Sequence, residues 1–134
     1  LLDAGIPAEM TAKFQQGLCA ISLPEQSAIL SAFANDVEPK LVYAQTVLAC
    51  ARAGDVFLGI STSGNSENVV LAAKTAKAVG VTAIGLTGAT GGKLAEICDI
   101  TIRVPATATF MVQEYHLPVY HAICAEVERR LFQA

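Results

Sequence analysis

Tryptophan is absent from these 134 residues, only 16% of them are charged, and histidine occurs twice. Each scarcity removes a class of function. The 9 Lys and Arg residues are scattered along a chain of formal net charge −3 and isoelectric point near 5.3. That gives no basic footprint for a nucleic-acid partner. No apolar run reaches the roughly 20 residues needed to cross a bilayer, so no membrane span is expected. The opening Leu1-Leu2-Asp3-Ala4-Gly5 lacks the charged segment and long apolar core of a secretory signal. Cys19, Cys50, Cys98 and Cys124 show no CxxC or metal-finger spacing and fall in or beside apolar stretches. They are expected to be buried free thiols of a cytoplasmic protein. A GxGxxG is missing, and the one P-loop-like stretch, Gly88-Ala89-Thr90-Gly91-Gly92-Lys93-Leu94, fails on inspection. The GxxxxGK[ST] pattern requires glycine at 87 and a hydroxyl at 94, where this chain has Thr87 and Leu94. That stretch reads as a tight glycine-rich turn, and nucleotide binding is disfavoured.

What the chain does have is apolar content: 53% hydrophobic and a mean hydropathy of +0.48. The length suits one domain over residues 1–134 with a real core. The surplus of apolar residues implies that another subunit covers some of the surface. Linkers, repeats and low-complexity tracts are lacking.

The pattern predicts a helix over residues 8–16 and a short buried strand over 18–23, ended by Pro24. A helix over 24–33 follows and is broken by Asn35-Asp36. A second runs from about 38 to 52, with Leu41, Val42, Gln45 and Leu48 at helical spacing. Then a unit repeats its logic: strand 56–60, helix 66–79, strand 81–87, short helix 93–98, strand 100–104, and a long helix over 110–132. Continuously apolar strands, each followed by a helix, predict a parallel sheet covered on both faces. Ligands of such sheets sit beyond the carboxyl ends of the strands. Residues 61–66, 87–92 and 105–113 all leave from that edge.

The most informative stretch is Ser61-Thr62-Ser63-Gly64-Asn65-Ser66, between a strand and a helix. A helix start offers free N–H groups and the positive end of its dipole to an anion. Hydroxyls add neutral donors without a competing negative charge. One residue, Ser63 or Asn65, would suffice as a helix cap; six small polar residues exceed that need and predict a phosphate cradle. The last helix carries Gln113, Glu114, His116 and His121. At about 100° per residue Glu114 and His121 share a face, and Gln113 lies about 80° from His121. His116 points elsewhere and reads as structural. A packed core or interface histidine is the plainer alternative for His121. Pro118 is expected to kink this helix. Glu126, Glu128, Arg129 and Arg130 read as a solvated helix end.

Residues 54–69, from Gly54 through the serine loop to Val69, closely resemble the SIS (sugar isomerase) domain family, and within it the phosphoheptose isomerases. The likeness continues through Leu86-Thr87-Gly88, Gly91-Gly92-Lys93-Leu94 and residues 99–105 to Gln113-Glu114-Tyr115-His116-Leu117-Pro118-Val119-Tyr120-His121. It covers about residues 18 to 130. The resemblance implies a three-layer αβα sandwich, flavodoxin-like, and a sugar-phosphate ligand. Phosphate-loop positions fall on Ser61, Thr62, Ser63 and Ser66, and a substrate-contacting Asn-Asp pair falls on Asn35 and Asp36. Gln113 takes the place of a glutamine that touches substrate and, in some members, zinc. His121 takes that of a histidine acid/base that is a zinc ligand in those members. The implied reaction is aldose–ketose isomerisation of sedoheptulose 7-phosphate through an enediol, in a homotetramer whose active sites are shared between subunits. The alternative within the family is a non-catalytic module that binds a phosphosugar as a sensor or docks a protein partner through a tetramer or dimer. Family members also carry an earlier central strand with a Cys-Gly-Asn-Gly-Gly-Ser-like loop, and a helix with a catalytic glutamate and a histidine. Neither occurs here, so the chain is expected to be N-terminally incomplete and its sheet to lack a middle strand. Phe110 stands where some relatives carry an acidic residue.

Overall fold

The computed structural model describes residues 1–132. Three strands, β1 (Val56–Ser61), β2 (Thr82–Thr87) and β3 (Ile100–Arg103), form one parallel sheet in the order β1-β2-β3. Helix α1 is Ala8–Thr11, α2 Ser27–Asp36, α3 Val42–Cys50, α4 Glu67–Ala78, α5 Leu94–Ile97 and α6 Thr109–Phe132. α4 connects β1 to β2 and α5 connects β2 to β3, the crossover parallel neighbours require. The result is the expected α/β fold with a parallel sheet.

Register follows from side-chain alternation. Phe57 pairs with Ala83, Gly59 with Gly85 and Ser61 with Thr87, so these six share one face. α4 and α5 lie on it. A Cβ on Gly59 would stand 3.1 Å from Val69, and one on Gly85 3.4 Å from Leu94. The glycines thus let the helices approach closely. Ala72, Ala73 and Ala76 are fully buried on α4. Ala72 and Ala76 pack with Val47 of α3 and Val81, while Ala73 joins Val70 and Leu94. A third cluster, Val104, Ala106 and Val112, anchors the start of α6. Ala83 and Asp99 exchange two bonds at the amino end of the sheet. The Ala83 N–H donates to the Asp99 carboxylate at 2.9 Å, and the Asp99 N–H donates to the Ala83 carbonyl at 2.9 Å. Lys77 of α4 closes this knot on the same carboxylate.

The opposite sheet face is much barer. Leu86 is fully buried there, and α6 packs at β2. Val56 is 61% exposed, Leu58 41%, Ile60 47% and Ile100 52%.

The N-terminal third departs from expectation. Residues 18–23 form no strand; Leu18 and Ile21 are exposed, and among the described residues no strand pairs with them. An apolar run becomes a strand only where a neighbour satisfies its backbone. In the sheet that forms, β1, β2 and β3 are direct neighbours, and β1 is an edge strand. α1 stops at Thr11, short of the expected end at 16. Asn35 and Asp36 do not break α2 but form its last turn, and Val37 ends it. The cysteines are also corrected: Cys19, Cys50 and Cys124 are exposed and only Cys98 is partly covered. Burial, and then the neighbouring Asp99 carboxylate, push the Cys98 thiol up. α6 runs unbroken through Pro118.

Candidate functional site

β1 ends at Ser61 and α4 begins at Glu67, with Ser66 as its N-cap residue. A serine in that place ordinarily bonds its own helix. This one does not: its side chain makes no capping bond, and its Oγ lies 2.9 Å from the Ser61 Oγ instead. The expected caps, Ser63 and Asn65, do not cap α4 either. Ser63 Oγ accepts the Asn65 N–H at 3.1 Å, and Asn65 bonds away from the helix. In the first turn of this 12-residue helix the Val69 N–H is taken by the Asn68 Oδ1 at 2.9 Å, which leaves the Glu67 and Asn68 N–H groups without a partner among the described residues and open to a ligand. Gly64 turns the loop with φ of +67°. A Cβ there would run into the Gly91 carbonyl, so position 64 admits only glycine.

The neighbouring loops enclose this turn. Gly88 donates its N–H to the Thr62 carbonyl at 3.0 Å, and Ala89 donates to the Ala106 carbonyl at 2.9 Å. Val112 stands 3.0 Å from where a Gly88 Cβ would lie. The chain from 61 to 66 thus touches the 88–93 loop, which in turn touches the start of α6. The glycine-rich stretch that fails as a P-loop packs against the 61–66 loop. Nearby, Lys40 pairs with Glu67 at 2.9 Å, both side chains being well exposed. Sequence reasoning missed Lys40: nothing in its local pattern marks it, since its partner lies 27 residues on.

The remaining candidates are placed less tightly. Asn35 and Asp36 are exposed at the end of α2, four to five residues before Lys40 brings the chain to the start of α4. Gln113, Glu114 and His121 are all exposed on α6, and His121 stacks edge-on against the Tyr120 ring, centroids 5.1 Å apart. The buried stripe of α6 runs through Val112 and His116. At 100° per residue His121 and Glu114 lie roughly 140–200° from that stripe. They face away from the sheet that carries the cradle, so one chain by itself does not bring His121 to residues 61–66. His116 is buried as expected for a structural residue, but its Nε2 has no hydrogen-bond partner among the described residues.

A zinc site is not made by the residues present. Gln113 and His121 are separated by about 12 Å along the helix axis. Among the described residues no three His, Cys, Asp or Glu side chains cluster to add further ligands, and a zinc centre needs three or four. Two broad clefts of the surface lie elsewhere. One, about 380 Å³, lies between α2 and α3, and the other, about 690 Å³, between residues 15–18 and the end of α6. Among the described residues no helix is long and apolar enough to cross a membrane.

Comparison with known proteins agrees with this geometry. Phosphoheptose isomerase of Aneurinibacillus thermoaerophilus is 41% identical over 131 residues, which cover 96% of this chain and 66% of that protein. The phosphoheptose isomerase of Geotalea daltonii is 43% identical over 128 residues, covering 93% and 67%. Among solved structures, a phosphoheptose isomerase from Neisseria gonorrhoeae superposes with a TM-score of 0.78 at 41% identity, covering 88% of this chain and 65% of that one. One from Francisella tularensis gives 0.81 at 32% identity, covering 90% and 67%. The chain spans 65 to 67% of the length of these relatives. A family model, the SIS domain, matches residues 28–125, from α2 through all three strands and the cradle into the second half of α6. This chain belongs to the SIS domain family.

Proposed function

We propose that this chain is the phosphate-gripping part of a phosphosugar isomerase. Its reaction is the aldose–ketose isomerisation of a phosphorylated ketose such as sedoheptulose 7-phosphate. The observation that carries the reading is the start of α4, where Ser66 turns its hydroxyl to Ser61 and the Glu67 and Asn68 N–H groups have no partner among the described residues. The likeness to proteins named phosphoheptose isomerase supports the heptose.

In this reading Ser61, Thr62, Ser63 and Ser66 donate to the phosphate, and the dipole of α4 stabilises its charge. Asn35 and Asp36, near the same edge, contact the sugar. Gln113 holds sugar hydroxyls, and His121 carries the proton. A base removes a proton from C1 of the ketose, the electrons form the C1–C2 double bond of an enediol, and a proton returned to C2 gives the aldose. The oxygen protons exchange through a second group. An imidazole suits such transfers because its ordinary pKa lies near neutrality. No step here requires a bound metal.

His121 faces away from its own cradle, so it works on the cradle of another copy. A homo-oligomer, dimer or tetramer, follows from that, and the exposed apolar sheet face and the exposed Phe110, Met111, Tyr115 and Leu117 of α6 supply surface for it. The test is isomerisation of sedoheptulose 7-phosphate by the intact protein that contains this chain. Turnover of that sugar, with none of its unphosphorylated counterpart, is expected. Binding without turnover would instead favour the sensor reading.

A further inference from the structure

An anion site must turn its carbonyl oxygens away as firmly as it presents its donors, because a carbonyl dipole aimed at a phosphate opposes binding. In the 61–66 loop, each of the first four carbonyls has a donor. Ser61 accepts from the Gly64 N–H at 3.0 Å and Thr62 from the Gly88 N–H at 3.0 Å. Ser63 accepts from the Asn65 side-chain Nδ2 at 3.0 Å, and Gly64 from the Leu94 N–H at 3.1 Å. Three of these donors are backbone groups. The fourth is a side chain, and that side chain does more. The Asn65 Oδ1 accepts the Lys93 N–H at 3.0 Å, 28 residues away, while the Asn65 N–H donates to the Ser63 Oγ at 3.1 Å.

The wall it reaches is built for close approach. Gly91 and Gly92 both have positive φ, and a Cβ on Gly92 would run into the Ser63 carbonyl and stand 2.8 Å from the Asn65 Nδ2. The glycines of the 88–93 loop therefore have a purpose that neither a nucleotide motif nor a simple turn explains. They let that loop lie against the cradle so that one amide can span both. Asparagine suits this position because its side chain carries a donor and an acceptor at once. Serine is too short to span the gap, and aspartate lacks the donor.

We propose that Asn65 is a positioning residue for phosphate binding. Its amide pins the Ser63 carbonyl outward and ties the loop to the 88–93 wall, so that the Ser63 and Ser66 hydroxyls and the α4 N–H groups stay aimed at the anion. The proposal rests on reading residues 61–66 as a phosphate cradle. Asn65 itself touches no reacting atom, so its loss weakens binding more than chemistry.

The experiment measures inorganic phosphate affinity by calorimetric titration, together with KM and kcat for sedoheptulose 7-phosphate. The subjects are the intact protein and its Asn65→Ala and Asn65→Ser variants. Two lost hydrogen bonds predict phosphate affinity about tenfold weaker or more. They also predict a comparable rise in KM and a smaller change in kcat. Asn65→Ser keeps a small polar side chain and carries the test if Asn65→Ala fails to fold. Folded variants with wild-type phosphate affinity, or with kcat lowered and KM unchanged, overturn the role of Asn65 and leave the cradle standing. A wild-type protein that binds no phosphate overturns the cradle itself, and the role of Asn65 with it.

Discussion

Residues 61–66 and the Gln113–His121 face of α6 are the two candidate halves of one chemistry, and they are held in opposite ways. The first is a short loop whose first four carbonyls are all tied down and whose central glycine has no room for a methyl group. The second lies on an unbroken helix, but its side chains are exposed, and the His121 ring lies edge-on against Tyr120. Gripping a phosphate needs many donors fixed together, which a loop in its own fold supplies. Moving a proton needs one group placed against a substrate, and here that placement depends on whatever packs on the outer face of α6.

Breaking the second half costs function without costing fold. His121→Ala is expected to lower turnover by about 10²–10⁴-fold, the usual worth of a positioned acid or base, with a melting temperature close to that of the wild type. Steady-state kinetics beside a thermal melt check both parts; unchanged turnover would remove His121 from the mechanism. Breaking the first half does the reverse. Gly64→Ala forces a side chain into the Gly91 carbonyl at positive φ, so a loss of roughly 2–4 kcal/mol is expected, read by denaturant unfolding, with phosphate binding lost as well. A mild effect would mean that the loop yields easily and that the contrast between the two regions is overstated.

The inner side of α6 gives a smaller effect. His116→Leu replaces a buried nitrogen without a partner by an apolar group, and such changes are neutral or mildly stabilising. A melting temperature several degrees lower would show that His116 has a partner in the assembled protein. The smallest effect belongs to the far end of the sheet and serves as a control for both regions. The Lys77 ammonium, and then the Ala83 N–H, hold the Asp99 carboxyl below its ordinary value of 3.8. A depressed carboxyl contributes stability above its unfolded pKa, and that contribution fades as pH falls through the lower, folded value. Stability is therefore expected to decline slightly below about pH 4, and less so in Asp99→Asn, with phosphate affinity near neutral pH the same in both proteins. A pH-resolved melt and one titration check it.

From β1 onward the sequence was highly legible. Strand 56–60, helix 66–79 and strand 81–87 differ from β1, α4 and β2 by a residue or so at their ends, because continuous apolar strands and a glycine after the helix mark them plainly. The 61–66 loop was legible for the same reason: its hydroxyls are consecutive residues. The first 25 residues were not. Residues 18–23 look like a buried strand, yet no partner strand is present among the described residues, and Leu18 and Ile21 stay exposed. The cysteines misled in the same direction, since an apolar neighbourhood in sequence does not place Cys19, Cys50 or Cys124 in a core.

The sequence by itself determined the parallel α/β order and the hydroxyl loop at a helix start. These are local patterns or consecutive residues, written into propensity, periodicity and spacing. The tertiary structure alone decided that Ser66 bonds Ser61 rather than capping α4, that the failed P-loop packs against the 61–66 loop, and that Asn65 spans the two. It also decided that His121 faces away from its own cradle. Each depends on groups far apart in sequence meeting at one edge of a sheet, or on the angle at which a helix is docked, and only packing sets those.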